Sequence, residues 1–426
     1  MTERVFPRIG ERYFEETLPN GLTVRIVPKK GFAKKRAFLA VNFGSVDTAF
    51  SFEGKTYRMP DGIAHYLEHK MFDLPEGDAM ERFAQLGAYP NAFTSYDMTA
   101  YYFTCTEQFE ENLRILLEMV LTPYFTEESV EKERGIIAQE IRMYEDNAQS
   151  NVSEALYDIL LRHHPMRLPI AGTVEGIQAI TARMLYDCYD AFYRPCNMML
   201  CVVGEVDERN VIEIAKELSG DDCRPLPIRD YGPAESLLPR QALTEKQMEI
   251  SMPTFSLGFR CAPSLSGMEI LKRELVGDLA AEILAGESSP LYQRLYEAGT
   301  IDGDFTVGYE SVKDICLLSM NGDSEDPLGI RDAILEEAER ICREGIDEGF
   351  FRRLLRSCLG RRTRGLDSFE GICYRSCAYY FDRVDFFRFP ETFDAVSKED
   401  VLELLRESIV PERAALSIVR QKMKTP

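Results

Sequence analysis

This chain of 426 residues has only four histidines, fewer basic than acidic residues, and no long apolar run. Apolar stretches such as residues 198–203 are far shorter than the roughly 20 residues that span a bilayer, so we expect no membrane partner. Residues 1–4 lack the basic-then-apolar order of a signal peptide. The sequence therefore predicts a soluble protein that is not exported.

The sequence also lacks closely spaced cysteine pairs and an excess of positive charge. The eleven cysteines, an odd number, show no CxxC spacing, which favours reduced thiols and indicates the cytoplasm. Lysine and arginine number 50 against 71 acidic residues, which gives a formal net charge of −21. Because a polyanion repels phosphate backbones, nucleic acid is excluded as a partner.

The order of strand-like and helix-like segments predicts an α+β protein of two tandem, similar domains, each a mixed β-sheet packed with helices. A proline-rich segment at 222–247 with little periodicity predicts a linker, which leaves an N-terminal domain at 1–221 and a C-terminal domain at 248–426. The clearest strands are predicted at 22–27, 37–43, 99–105, 197–204, 256–261, 304–309, 315–321 and 414–419. The clearest helices are predicted at 63–71, 80–86, 108–121, 127–146, 211–218, 268–284 and 328–343.

Two of the four histidines, His65 and His69, lie four residues apart with Glu68 between them. On the predicted helix these three side chains share one face, so both imidazoles can reach one cation. The apolar residues of the same helix, such as Leu67, form a different stripe that can anchor it. A hydrolytic zinc site takes three protein ligands and keeps a position for water, for which Glu68 is placed as general base.

A third ligand is needed, and the helix at 127–146 offers carboxylates. Glu133 and Glu140 are seven residues apart and share a face of that helix, so one can ligate while the other supports. Spacing alone does not rank these two against Glu131 and Glu145.

The HxxEH pattern followed by Glu133 and Glu140 resembles the inverted-zincin peptidases of the insulinase, pitrilysin and mitochondrial-processing-peptidase family, M16, and most of all its short bacterial members. In that family a carboxylate about 70 to 80 residues after the second histidine ligates zinc, and here 70 residues lie between His69 and Glu140. The resemblance implies a metallopeptidase fold like that of the mitochondrial processing peptidase. It also implies Zn²⁺ held by His65, His69 and Glu140, with Glu133 as a supporting acid.

The segment that contains Asn91, Ala92 and Phe93 is similar to the family's strand that pairs with substrate. An exposed edge strand beside a metal would hold an extended peptide by main-chain hydrogen bonds, with little sequence preference. These three residues are therefore expected to bind substrate.

The second half resembles the family's second domain around residues 288–296, with one departure. Active members often carry an arginine and, seven residues later, a tyrosine that contact substrate, and here Tyr296 and Gly303 stand in those positions. Arg294 or Tyr309 could substitute for the missing pair.

These patterns predict a zinc metalloendopeptidase that hydrolyses peptides or small unfolded polypeptides, with Glu68 as general base. The alternative is a non-catalytic or weakly catalytic subunit that assembles with a homologous chain. In either case the resemblance implies a homodimer or a heterodimer with a related chain.

Overall fold

The computed structural model describes residues 1–221, 224–263 and 267–422, and these form two compact units. The first unit combines Met1–Ile141, Pro169–Tyr231 and Thr363–Arg388. The second combines Arg142–Leu168, Gly232–Arg362 and the described residues from Phe389 onward. Both units contain a mixed sheet and helices, which confirms the predicted α+β class with two sheet-and-helix parts. The predicted boundaries at 1–221, 222–247 and 248–426 stay a prediction, and residues 222 and 223 of the linker lie outside the described residues.

Elements are numbered in chain order. The strands of the first unit are β1 (Thr2–Phe6), β2 (Glu11–Thr17), β3 (Thr23–Pro28), β4 (Lys35–Val41), β5 (Ala49–Phe52), β6 (Lys55–Arg58), β7 (Asp73–Leu74), β8 (Gly77–Asp78), β9 (Tyr89–Thr94), β10 (Thr99–Cys105), β11 (Met198–Gly204) and β12 (Ile228–Arg229). Its helices are α1 (Ile63–Lys70), α2 (Ala79–Gln85), α3 (Phe109–Leu121), α4 (Glu127–Glu145, to Ile141), α6 (Val174–Gln178), α7 (Ala182–Phe192), α8 (Glu208–Leu218) and α13 (Phe369–Phe381).

The main sheet of the first unit has seven strands in the order β1-β2-β3-β11-β4-β10-β9. Neighbouring strands are antiparallel except β11 and β3, which are parallel. Strand β11 is buried along its whole length, as its continuous apolar run predicts. Among the strands that the structure describes, β9 lies at one edge of the sheet and pairs only with β10.

The two faces of this sheet have different partners, because side chains alternate along each strand. Leu39 and Tyr101 point to the face that packs with α1 in the hydrophobic core, here called the α1 face. Phe38 and Tyr102 point to the opposite face, which is covered over β4 and β11 by α13 and is here called the α13 face. Sequence patterns give no sign that a helix so late in the chain covers this sheet.

The second unit has a five-stranded sheet in the order β13-β17-β14-β16-β15, antiparallel except for β13 and β17. Its strands are β13 (Leu243–Met248), β14 (Thr254–Cys261), β15 (Thr306–Val312), β16 (Ile315–Asp323) and β17 (Ala414–Gln421). Its helices are α5 (Ala148–Leu160), α9 (Met268–Ala285), α10 (Pro290–Glu297), α11 (Pro327–Glu344), α12 (Glu348–Arg364, to Arg362), α14 (Phe389–Asp394) and α15 (Lys398–Ser408). In the described part of the chain, no helix has both the length and the apolar character needed to cross a membrane.

Helix α1 begins at a point where the backbone leaves no room for a side chain. Gly62, the N-cap, has φ +82°, and a Cβ added there would lie 2.4 Å from the carbonyl oxygen of Ala171. The side chain of the preceding residue, Asp61, accepts a hydrogen bond from the Thr173 amide at 2.8 Å. The loop at 171–173 therefore fixes where α1 starts.

Gly62→Ala should lower the free energy of unfolding by about 2 kcal/mol or more, because alanine is disfavoured at positive φ and its Cβ meets backbone. The matched control is Gly135→Ala inside α4, where an added Cβ meets nothing within 4 Å and should be neutral or stabilising by up to about 1 kcal/mol. Urea unfolding followed by circular dichroism measures both midpoints. Equal midpoints for the two variants would contradict this account of the α1 start.

Candidate metal centre

Helix α1 presents its polar residues on one side and its apolar residues on the other. Ile63, Leu67 and Met71 are fully buried in the core of the first unit, as the predicted anchoring stripe requires. The hydroxyl of Tyr66 donates a hydrogen bond to the carbonyl oxygen of Val130 at the start of α4. These contacts fix α1 against α4 and set the direction in which its histidines point.

The structure brings His65, His69 and Glu140 together. The Nε2 atom of His65 lies 3.7 Å from Glu140 Oε1, and the Nε2 atom of His69 lies 3.4 Å from Glu140 Oε2. One possible ligand atom from each of the three residues lies within 4.8 Å of the other two. Two imidazole nitrogens and one carboxylate oxygen at this separation fit a single divalent cation. Among the described residues, these form the only group of three or more potential ligands gathered in this way.

Glu133, two turns before Glu140 on α4, contacts His69 from the other side of its ring. Its Oε1 atom lies 3.0 Å from His69 Nδ1, which orients the ring so that Nε2 faces Glu140. That hydrogen bond also lowers the pKa of Glu133. Glu131, left open by the spacing, instead pairs with Arg134 on α4, and Glu145 is not part of the group.

The two histidines have opposite protonation preferences without a metal. Burial, followed by the charge on His69, lowers the pKa of His65 to about 4. Burial also disfavours charge on His69, but the hydrogen bonds to Glu133 and Glu140 outweigh it and raise the pKa of His69 to about 9. A protonated His69 thus balances the two carboxylates, in the place where a cation would do so.

One buried ring nitrogen of His65 makes no hydrogen bond to the described residues. The Nδ1 atom of His65 has no hydrogen-bond partner among the residues that the structure describes. Since His65 is neutral at ordinary pH, one of its two nitrogens is an acceptor with an unused lone pair. The ring therefore suits metal ligation better than an ion pair.

Glu68 lies beside the group but is not part of it. Its side chain is buried, and Thr94 at the end of β9 donates a hydrogen bond from Oγ1 to Glu68 Oε2 at 2.6 Å. Burial raises the pKa of Glu68 to about 7, although the Thr94 hydrogen bond opposes the shift. A carboxyl with a pKa near neutrality can both take and return a proton.

Thr94 is a site residue that sequence reasoning missed. It lies two residues after Ala92 and so shares its face of β9, which is the α1 face. That alternation was readable in the sequence. The approach of Glu68 to the strand was not, because it depends on how α1 packs.

The predicted substrate residues lie in the edge strand. Asn91 and Phe93 point to the α13 face, and Ala92 points to the α1 face, where it packs against the core. The expected edge position is therefore seen, whereas substrate binding by the three residues stays a prediction. In the second unit, Tyr309 is buried and Arg294 pairs with Glu337 at 3.1 Å.

Comparison with known proteins agrees with the family resemblance seen in the sequence. Residues 53–174 match the family model "Insulinase (Peptidase family M16)", and residues 179–358 match "Peptidase M16 inactive domain". The chain is 36% identical over 428 residues to "Uncharacterized zinc protease YmfH" of Bacillus subtilis, with 98% of each chain covered.

Solved structures show the same fold. The crystal structure of an M16-like peptidase from Alicyclobacillus acidocaldarius superposes with a TM-score of 0.92 at 31% identity, covering 97% of this chain and 99% of that one. The periplasmic protease PqqL from Escherichia coli superposes with a TM-score of 0.74 at 19% identity, covering 96% of this chain but 47% of that one.

Removing the two α4 carboxylates one at a time should separate their roles. Glu140→Ala should abolish most divalent-metal binding, whereas Glu133→Ala, which loses only the orientation of His69, should weaken it roughly 10- to 100-fold. Metal content measured after dialysis, together with titration by Zn²⁺, gives both values. Full metal stoichiometry in Glu140→Ala would show that the ligand assignment is wrong. Glu131→Ala is the control and should bind metal normally.

Proposed function

The chain belongs to peptidase family M16, and from that premise we propose that it is a zinc metalloendopeptidase that hydrolyses peptides or small unfolded polypeptides. Its relatives include proteins described as zinc proteases. The observation that carries the proposal is the convergence of His65, His69 and Glu140, with Glu68 buried beside them.

Zinc is the metal that this donor set and the relatives' names favour. Two imidazoles and a carboxylate are a ligand set of catalytic zinc sites, which leave a position for water. When bound, zinc would supply Lewis acidity that polarises the scissile carbonyl and acidifies water. Glu133, hydrogen-bonded to His69, holds that ring in the orientation that ligation needs.

Glu68 is the proposed general base. It takes a proton from the attacking water and later delivers it to the nitrogen of the leaving amine, so no covalent intermediate with the protein forms. The hydrogen bond that Thr94 donates to Oε2 fixes the plane of the Glu68 carboxylate. It leaves Oε1 to carry the proton. The raised pKa of Glu68 suits both halves of this exchange.

Substrate is proposed to lie along β9, in contact with Asn91, Ala92 and Phe93. The free side of this edge strand can add one extended segment through main-chain hydrogen bonds. Only unfolded or flexible chains can supply such a segment, so folded proteins should resist cleavage.

Glu68→Gln should keep metal binding and lose peptide hydrolysis by roughly 100- to 10,000-fold, because the amide cannot accept the proton. Glu131→Gln on α4 removes an exposed carboxylate outside the metal group and should leave turnover unchanged. The measurement is the rate of digestion of an unstructured peptide library, followed by mass spectrometry, alongside metal content.

Near-wild-type turnover in Glu68→Gln would refute the proposed mechanism. Absence of hydrolysis by metal-loaded wild-type protein, alone and with homologous chains, would favour the alternative of a non-catalytic subunit.

We further propose that the working form is a dimer, either of this chain or with a homologous M16 chain. The chain covers 47% of the length of PqqL, so one such long relative has about the length of two of these chains. Tyr296 and Gly303 replace the arginine and tyrosine expected from the family resemblance, and a partner is a possible source of equivalent groups.

Light scattering should give twice the mass of one chain at working concentration, and activity per chain should fall on dilution as the dimer dissociates. Adding homologous chains from the same cell tests the heterodimer. A monomer that is fully active at every concentration would exclude both forms.

A further inference from the structure

The edge strand β9 offers two different surfaces to anything that pairs with it. Ala92 and Thr94 point to the α1 face, where Thr94 reaches Glu68. Asn91 and Phe93 point to the α13 face. Because side chains alternate, every second residue of an added peptide strand would point away from α1 and toward α13.

The α13 face of the sheet is aromatic at this edge. The ring of Phe93 lies 6.0 Å from Phe38 and 6.3 Å from Tyr102, measured between centroids, and these two rings stack on each other at 5.5 Å. Tyr374 of α13 lies 5.9 Å from Phe93 with the ring planes 37° apart. We call the rings of Phe93 and Tyr374 the aromatic platform. The rings of Phe38 and Tyr102 pack against Phe93 and support it.

Tyr374 is exposed but firmly positioned. Its side chain is 42% exposed, whereas its neighbour Cys373 is fully buried against β11. One turn earlier on the same side of α13, Glu370 forms an ion pair with Arg36 at 3.4 Å. The Arg36 guanidinium in turn lies 4.2 Å from the centre of the Tyr102 ring. Helix α13 therefore places the Tyr374 ring at the open end of the platform.

We propose that Tyr374 is a specificity-determining residue, and that the aromatic platform selects a large apolar or aromatic side chain of the substrate. The inference rests on the proposed pairing of substrate with β9. The peptide residue opposite Phe93 points to the same face and would stack on Phe93 and Tyr374, as aromatic neighbours do across strands. An acidic side chain at that position would lose hydration against the aromatic rings and would gain no cation in return, because the charge of Arg36 is already paired with Glu370.

The test measures binding without catalysis. In the Glu68→Gln background, with zinc present, fluorescence anisotropy gives the Kd of labelled unstructured peptides that differ at one scanned position among Phe, Leu, Ala and Asp. At one position, Phe should bind roughly three- to tenfold more tightly than Ala, which is the range that an aromatic pair supplies, and Asp should bind most weakly. Phe should give no such advantage at the adjacent positions, whose side chains point to the α1 face.

Adding Tyr374→Ala should bring the Phe-to-Ala ratio close to one while the Kd of the Ala peptide stays within about twofold. Tyr374→Phe should keep the ratio, because the ring remains. Tyr124→Ala, which removes another exposed tyrosine of the first unit, should also keep it. Thermal unfolding of each variant checks that the fold is retained.

A Phe preference that survives Tyr374→Ala, or the absence of any Phe preference in a folded protein, would overturn the proposal. The failure of the proposed peptidase function gives a different result. In that case wild-type protein would not hydrolyse the peptides, while the Tyr374-dependent difference in Kd would remain.

Discussion

The carboxylates of Glu133 and Glu140 both contact the imidazole of His69, and the candidate metal centre depends on how their negative charge is balanced. Glu133 and Glu140 both hydrogen-bond to His69, which is therefore held protonated when no metal is present. His65, four residues earlier, is held neutral by its burial. A divalent cation would replace the proton on His69, so the same two acids suit both states. Buried apolar residues and the close approach of Gly62 to Ala171 hold α1 in the place where both histidines face these acids.

Strand β9 connects this centre to the rest of the first unit. On its α1 face, Thr94 holds the carboxylate of Glu68, and on its α13 face, Phe93 meets Tyr374. One short strand thus links the proposed general base, the proposed path of the substrate and a helix from near the end of the chain. A change in the position of β9 would act on all three together.

Local patterns were enough to predict part of this arrangement. The spacing of His65, Glu68 and His69 on a helix fixed their common face, and the helix at 127–146 agrees closely with Glu127–Glu145. Spacing did not distinguish Glu140 from Glu131, because the direction of a carboxylate around α4 depends on which side of that helix packs into the core. Thr94 and α13 were missed for a related reason. Both act through contacts between segments far apart in sequence, which no periodicity records.

The first unit is built from three separate segments of the chain, and this affects how it folds during synthesis. Its segments Pro169–Tyr231 and Thr363–Arg388 are separated by roughly 130 residues, all assigned to the second unit. At a synthesis rate of about 5 to 20 residues per second, the sheet waits roughly 7 to 26 s before α13 can cover its second face. During that interval Phe38 and the apolar side of β11 face solvent on the nascent chain. The first unit therefore completes its fold only after residues 232–362 of the second unit have been synthesised, and a chaperone would find its apolar surface open for that time.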